Sequence, residues 1–141
     1  MKRTATANWT GSGKEGKGSL TTQSKTLSNT QYSFTSRFEN GTGTNPEELI
    51  AAAHAGCYTM ALSFMLGGAG FEPNYINTTA TINMEQKDNS WTVTNINLDV
   101  TANVKEIDAT TFNNIANNAK TNCPISRMFN TAITMNAKLE N

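Results

Sequence analysis

The sequence has very few of the residues that staple small proteins or hold metals. Its 141 residues include two cysteines, one histidine and three prolines. Two cysteines exclude the dense disulfide framework of small secreted domains. One histidine and two cysteines without a C-x-x-C motif do not form a standard closed zinc set. We therefore expect neither a metal nor a cofactor.

The sequence also lacks an excess of charge of either sign. Eleven basic side chains balance eleven acidic ones, and no basic cluster is present. An electrostatic footprint for nucleic acid or anionic lipid is therefore missing, and we expect no nucleic-acid partner. The polar amino terminus has no apolar run of the kind found in signal peptides, which favours a cytoplasmic protein.

What the chain does have is one long uncharged stretch, from Leu49 to Phe71. Its length raises the question of a membrane span. The stretch is rich in alanine and glycine, which makes its transfer into lipid weak, so we favour a buried helix and no membrane. Asn45 is a good N-cap before Pro46, and the glycines at 67, 68 and 70 supply the stop. A helix that is apolar all round must be covered on every side, so we infer a partner subunit.

Alternating apolar residues predict three half-buried strands, within residues 76–84, 96–104 and 133–139. A phase change near Thr94-Asn95 indicates a β-bulge, and residues 87–90 have the composition of a hairpin turn.

The remaining segments predict a meander of strands and two further helices. The strands fall at residues 8–10, 19–22 and 31–38, ahead of the long helix. Asp108 is the expected cap of a second helix, and Pro124 opens a short third one. Together these elements predict one α+β domain over residues 1–141.

The two thiols are the only strong nucleophiles in the chain. A thiol reacts as the thiolate, and an ordinary cysteine is mostly protonated at neutral pH. Cys57 lies about three turns into its helix, beyond the useful reach of the helix dipole. Its activation therefore needs a cation, and Arg37 on the strand 31–38 is a candidate, unless it is a solvated strand charge. Cys123 precedes Pro124, where a helix start offers unpaired N–H groups. The alternative for both thiols is plain burial.

His54 and Glu47 flank this chemistry on the same helix. His54 precedes Cys57 by three residues, which permits a Cys–His nucleophile or a hydrogen-bonded histidine in a helix interface. Glu47 favours the start of the helix and also has the two oxygens that orient an arginine. Because Glu47 and Cys57 are ten residues apart, about 15 Å separates them along one helix. A role for Glu47 therefore needs Arg37 to span that gap or needs a second subunit.

Five segments of the chain resemble the OsmC/Ohr family of thiol peroxidases, and the OsmC branch more than the Ohr branch. They are Gly16-Lys17-Gly18, Arg37-Phe38-Glu39, the run from Gly43 to Ile50, the run from Ala52 to Cys57, and Cys123-Pro124-Ile125-Ser126.

The resemblance implies an OsmC-like α+β fold, in which antiparallel sheets surround a long buried helix in an intertwined homodimer. It also implies a peroxidase of oxidative and osmotic stress defence that reduces organic hydroperoxides, and hydrogen peroxide less well. By position, Cys57 is the peroxidatic cysteine, Cys123 the resolving one, Arg37 the activating cation and Glu47 its carboxylate. A Cys57–Cys123 disulfide would then be reopened by a dithiol, such as a lipoylated protein.

Two other functions remain open at this point. One is a binding module that uses the same fold for an apolar ligand without catalysis. The other is a redox sensor whose disulfide alters a partner interaction. An apolar neighbourhood suits an organic peroxide, although plain core packing explains most of its members equally well. These members are Tyr58, Met60, Phe64, Met65, Met128 and Phe129.

Overall fold

The structure, a computed structural model, describes all 141 residues. It is an α+β arrangement of two three-stranded sheets and a central helix, which confirms the predicted class. The chain divides into two compact units, Met1–Leu49 and Ile50–Asn141. The assignment of residues 1–141 to one domain remains a prediction.

The first unit contains an antiparallel meander of three strands. These are β1 (Ala5–Thr10), β2 (Lys17–Thr22) and β3 (Thr30–Tyr32), paired in sequence order. Gly18 lies opposite both Trp9 and Tyr32, whose ring centroids are 5.3 Å apart. A Cβ at Gly18 would collide with the Tyr32 and Trp9 rings, so only glycine permits this aromatic pair to close over the strand.

The predicted strand over residues 31–38 is wrong beyond its first two residues. Strand β3 ends at Tyr32, and a short helix, α1 (Phe34–Phe38), follows. The side chains of Ser33 and Ser36 each accept a hydrogen bond from the other residue's backbone N–H, which is a reciprocal cap for a helix start. Arg37 therefore projects from a helical turn and not from a strand.

The central helix α2 (Pro46–Gly68) begins where its sequence signals place it. The Asn45 side chain accepts the Glu48 N–H at 2.9 Å, which confirms the predicted N-cap. At the other end Gly70 adopts a positive φ of 87°, and the Phe71 N–H returns to the Leu66 carbonyl at 2.9 Å. The helix thus ends through its glycines, as expected.

Only one face of α2 is buried by its own chain. His54, Tyr58, Leu62 and Leu66, spaced four residues apart, are fully buried. On the rest of the helix large apolar side chains stay open, with Phe64 76% exposed. By length and composition α2 also meets the requirements of a membrane span, with a mean hydropathy of 1.5 in its most apolar window. This chain alone therefore does not cover the helix on every side, and the partner subunit inferred from the sequence remains a prediction.

The second unit is built on a sheet in the order β4-β5-β6. Strands β4 (Pro73–Lys87) and β5 (Ser90–Val104) form an antiparallel hairpin. Asp88 and Asn89 both have positive φ in its tight turn. Asn83 pairs with Asn95 and Met84 with Val93, so Thr94 is the extra residue of the predicted bulge. Strand β6 (Ala132–Leu139) runs parallel to β5, so the expectation of purely antiparallel sheets is wrong here.

Two helices connect β5 to β6. Helix α3 (Ala109–Asn122) begins at Asp108, whose side chain accepts the Thr111 N–H at 2.9 Å, as predicted. It buries Phe112, Ala116 and Ala119 in the core of this unit. Helix α4 (Pro124–Met128) follows directly, and Cys123 is the junction residue between the two helices.

Candidate active site

The two cysteines of the chain meet in the second unit. Cys57 projects from the middle of α2, and Cys123 lies at the α3–α4 junction. The Cys123 thiol donates to the Cys57 sulfur across 2.7 Å, and both thiols are free. Cys123 is completely buried, whereas Cys57 is partly accessible. The thiol that a dissolved reagent can reach is therefore that of Cys57, and the buried thiol of Cys123 is in direct contact with it.

Within its own unit Cys57 is held in its neutral form. Burial is the main cause that raises the pKa of the Cys57 thiol, and the hydrogen bond from Cys123 raises it further. The backbone N–H of Ile125, in the first turn of α4, acts in the opposite direction. This N–H therefore acts on the Cys57 sulfur, whereas the sequence predicts that the free N–H groups at the start of α4 act on Cys123. No cation contributes, so the sequence argument that Cys57 needs one still holds.

His54 contacts the middle of α4. Its Nε2 lies 2.8 Å from the Ser126 hydroxyl oxygen, and its ring meets Phe129 edge-on at 5.4 Å between centroids. The buried Nδ1 has no hydrogen-bond partner. Burial lowers the pKa of His54, which keeps the ring neutral. Neither ring nitrogen is bonded to Cys57, so the structure supports the hydrogen-bonded histidine and not the Cys–His nucleophile.

Arg37 and Glu47 form a forked ion pair in the first unit. Arg37 Nε lies 3.1 Å from each Glu47 carboxylate oxygen, and Nη2 lies 2.6 Å from one of them. The guanidinium also lies over the Phe38 ring at 5.1 Å. Glu47 is the first-turn carboxylate of α2, and Arg37 comes from α1 in the same chain. The carboxylate thus fixes the plane of the guanidinium, as sequence reasoning expected of this pair.

A small aromatic cavity of about 110 Å³ adjoins this arginine. Its walls include Trp9, Tyr32, Phe34, Phe38 and Arg37.

The apolar residues that the sequence analysis grouped around the thiols do not form one pocket. Tyr58 is a core residue whose hydroxyl donates to the Ala116 carbonyl, whereas Phe64 and Met128 are largely exposed.

Sequence reasoning missed two contributors, the Ile125 N–H and the Ser126 hydroxyl. Both follow Cys123 within three residues, so the only local signal was the Pro124 helix start, where i and i+3 positions share a face.

No group of three His, Cys, Asp or Glu side chains converges to hold a metal ion.

Comparison with known proteins places this arrangement in a family. A family profile described as OsmC-like protein matches residues 39–138. The chain belongs to the OsmC family. It is 46% identical to Peroxiredoxin OsmC of Escherichia coli (strain K12) over 134 residues, which cover 95% of this chain and 94% of that protein.

Solved structures of the OsmC and Ohr type share the fold. An OsmC-like protein from Mycoplasma pneumoniae superposes with a TM-score of 0.78 at 14% identity, covering 100% of this chain and 99% of that one. The organic hydroperoxide resistance protein OhrB of Bacillus subtilis superposes with a TM-score of 0.69 at 22% identity, covering 97% and 98%. These likenesses establish the fold and extend over nearly the whole of each chain.

Proposed function

We propose that this protein is a thiol-dependent peroxidase of oxidative and osmotic stress defence that reduces organic hydroperoxides to alcohols, and hydrogen peroxide less well. Membership of the OsmC family and 46% identity to a protein named as a peroxiredoxin support a peroxidase-type redox activity. The observation that carries the finer proposal is the 2.7 Å approach of the Cys57 and Cys123 sulfurs. Two thiols in contact, one accessible and one buried, suit a peroxidatic and resolving pair.

The bonds that change in the reaction belong to the two thiols, the peroxide and an external dithiol. The Cys57 thiolate attacks one peroxide oxygen, the O–O bond breaks, and the alkoxide leaves and takes up a proton to become the alcohol. Cys57 is then a sulfenic acid. The Cys123 sulfur attacks it, the S–S bond forms, and water leaves with the sulfenic oxygen. An external dithiol returns two electrons by exchange and is itself oxidised to a disulfide.

Arg37 is the proposed cation that offsets the raised pKa of the Cys57 thiol. A guanidinium next to the sulfur favours the thiolate and then stabilises the charge that develops on the departing oxygen. Glu47 is proposed to hold that guanidinium in one plane through the hydrogen bonds that Nε and Nη2 of Arg37 donate to its carboxylate. The Ile125 N–H assists in the same direction, since it also lowers the pKa of Cys57.

We propose that the working form is a homodimer in the cytoplasm. The exposed face of α2, with Met60 and Phe64, is the apolar surface that a second copy would cover. Glu47 and Cys57 are ten residues apart on α2, about 15 Å along its axis, and Arg37 is bound to Glu47. We therefore assign the Arg37 that serves a given Cys57 to the second subunit.

The substrate class follows from the surroundings of the proposed cation. The cavity beside Arg37 is aromatic and holds about 110 Å³, which suits the organic part of a hydroperoxide better than it suits hydrogen peroxide. The proposed reductant is a dithiol, with a lipoylated protein as its physiological form.

Intact-mass measurement tests the proposal directly. Reduced protein receives one equivalent of cumene hydroperoxide or, separately, hydrogen peroxide, in wild type, Cys57→Ser and Cys123→Ser. We expect the wild type to lose two hydrogens, Cys123→Ser to gain one oxygen, and Cys57→Ser to stay unchanged on the same timescale.

The same samples separate the alternatives. A non-catalytic binding module would leave all three masses unchanged. A redox sensor would form the disulfide once but fail to consume further peroxide when excess dihydrolipoamide is supplied. Either outcome would remove the peroxidase proposal, whereas continued consumption in wild type alone supports it.

A further inference from the structure

Two parallel contacts join α2 to α4, and only one of them involves the thiols. Along α2, His54 and Cys57 are three residues apart and project on one side of the helix. Along the α4 segment, Cys123 and Ser126 have the same spacing. Cys57 meets Cys123 at 2.7 Å, and His54 meets Ser126 at 2.8 Å. The two contacts therefore form adjacent rungs between the same pair of elements.

The histidine rung is the better protected of the two. His54 has no exposed surface, and Ser126 is 7% exposed. A buried hydrogen bond between neutral groups holds its partners firmly, because breaking it leaves both groups unsatisfied. The unpartnered Nδ1 favours the tautomer with the proton on Nε2, since a buried bare nitrogen costs less than a buried unpaired N–H. Nε2–H then donates to the Ser126 oxygen.

Helix α4 is otherwise held by the packing of Ile125 against the core and by the Ile125 N–H at Cys57. It is a five-residue helix, and its N-cap residue Cys123 makes no side-chain cap hydrogen bond. Its last two residues, Arg127 and Met128, are exposed. The Ser126–His54 contact is the side-chain hydrogen bond that joins α4 to α2, beside the Ile125 N–H at Cys57, and it therefore helps to set the position of Cys123 relative to Cys57.

We propose that His54 and Ser126 are positioning residues for disulfide closure, which hold α4 so that Cys123 stays against Cys57. The inference rests on the proposed function, in which Cys123 resolves the sulfenic acid of Cys57. The bond raises the effective concentration of one thiol at the other, and it does so without contact to peroxide. Its loss leaves α4 free to drift and the two sulfurs apart for part of the time.

The test measures the thiol–disulfide equilibrium with glutathione, so that it does not depend on peroxide. One glutathione disulfide oxidises Cys57 and Cys123 together and gives two reduced glutathiones. Ser126→Ala removes one oxygen, and His54→Asn shortens the side chain so that its amide no longer reaches Ser126. We expect each to lower the equilibrium constant for the intramolecular disulfide about tenfold, or about 30 mV for a two-electron couple.

Matched variants separate positioning from general loss of stability. His54→Gln retains an N–H donor near the Nε2 position and should restore most of the equilibrium constant. Thr78→Val removes the 2.8 Å bond between Thr59 on α2 and Thr78 on β4, and should leave the constant unchanged. The double variant of His54→Asn with Ser126→Ala should match either single variant, because both remove the same bond.

The results that overturn the inference are specific. Equilibrium constants equal to wild type in Ser126→Ala and His54→Asn would sink it, as would an equal fall in Thr78→Val. Should His54→Asn not fold, Ser126→Ala decides alone. Failure of the peroxidase proposal would look different, because wild type would then form the disulfide with glutathione disulfide but not with cumene hydroperoxide.

Discussion

At the residue scale, the chemistry of this chain depends on opposing effects on one sulfur. Burial and the neighbouring Cys123 raise the pKa of Cys57, and the Ile125 N–H lowers it. A shift of one pKa unit corresponds to about 1.4 kcal/mol of interaction, and a positive charge beside the sulfur acts in the same direction as the Ile125 N–H. In the proposed mechanism that charge is the guanidinium of Arg37, which is paired with Glu47.

His54 provides a prediction of pH dependence, because it is the only histidine. Burial lowers its pKa in the folded state below the unfolded value of about 6.5. As the pH falls, His54 therefore binds a proton at a higher pH in the unfolded chain than in the folded protein. Stability is complete above about pH 6.5 and declines below it, by at most about 1.4 kcal/mol per pH unit, until the folded pKa is reached.

Urea unfolding of the reduced protein between about pH 7.5 and 5.5 measures this decline. His54→Gln has nothing to protonate, so its stability should stay level over the same range. Asp108 and Glu140 also have lowered pKa values, but these carboxyls begin to lose their contributions only below about pH 5, outside this range. An equal slope in wild type and His54→Gln would show that the histidine is not the cause.

At the element scale, the start of α2 joins the ion pair to the helix that carries Cys57. The Asn45 side chain accepts the Glu48 N–H at 2.9 Å and donates to the Ser36 carbonyl of α1 at 3.2 Å. One side chain thus caps α2 and ties it to the helix that bears Arg37. Because Glu47 lies two residues beyond the cap, disorder in this turn would also release the carboxylate.

We predict that Asn45→Ala costs about 1 kcal/mol of stability, as loss of an N-cap usually does. Urea denaturation of the reduced protein measures the loss. Asn117→Ala is the matched control, because Asn117 is exposed within α3 and its amide bonds only the Asn113 carbonyl one turn earlier. The control should change stability by less than about 0.5 kcal/mol. Equal effects in the two variants would remove the cap argument.

Elements with local signals were predictable, and those fixed by distant contacts were not. Asn45, Asp108 and the bulge at Thr94 were read correctly, because a cap or a change of phase is encoded within a few residues. The segment 31–38 was misread because its alternating apolar residues also fit a strand, and the Ser33–Ser36 cap has serine where glutamate or glutamine is usual.

The same reasoning limits what could be foreseen of the candidate site. Both thiols were named because the chain has only two cysteines, whereas the pairing of Arg37 with Glu47 was implied by the resemblance to the OsmC/Ohr family. The 2.7 Å sulfur contact depends on how α3 and α4 return to α2, which no local pattern encodes. Alternation likewise predicts that β6 is a strand but says nothing about its direction, which proved parallel to β5.

At the scale of the whole molecule, α2 has too much apolar surface for one chain to cover. Met60 and Phe64 are 62% and 76% exposed on a helix whose opposite face is fully buried. Burial of such a side chain contributes about 1.5 to 3 kcal/mol, so a second copy that covers this face gains substantially. A dimer formed there would bring two α2 helices, each with its own Cys57 and Glu47, into one assembly.

Mixed dimers test whether Arg37 acts across that assembly. Arg37→Met alone should lower the rate of peroxide reduction about 10²- to 10³-fold, as removal of one preorganised donor does. A dimer that combines an Arg37→Met subunit with a Cys57→Ser subunit has one intact Cys57 and one intact Arg37, on different chains. If Arg37 acts on the Cys57 of the other subunit, this mixed dimer should reduce peroxide at about half the wild-type rate per dimer. The rate is measured on mixed dimers purified in tandem through a different affinity tag on each subunit.

The reciprocal dimer makes the assignment decisive. It combines a wild-type subunit with one that carries both Arg37→Met and Cys57→Ser, so its Cys57 and Arg37 lie on the same chain. If Arg37 serves the other subunit's thiol, this dimer has only the residual rate of Arg37→Met, because its single Cys57 faces a methionine. Half activity here together with inactivity of the first mixed dimer would show that each subunit supplies its own arginine, and the proposed geometry across the dimer would be wrong.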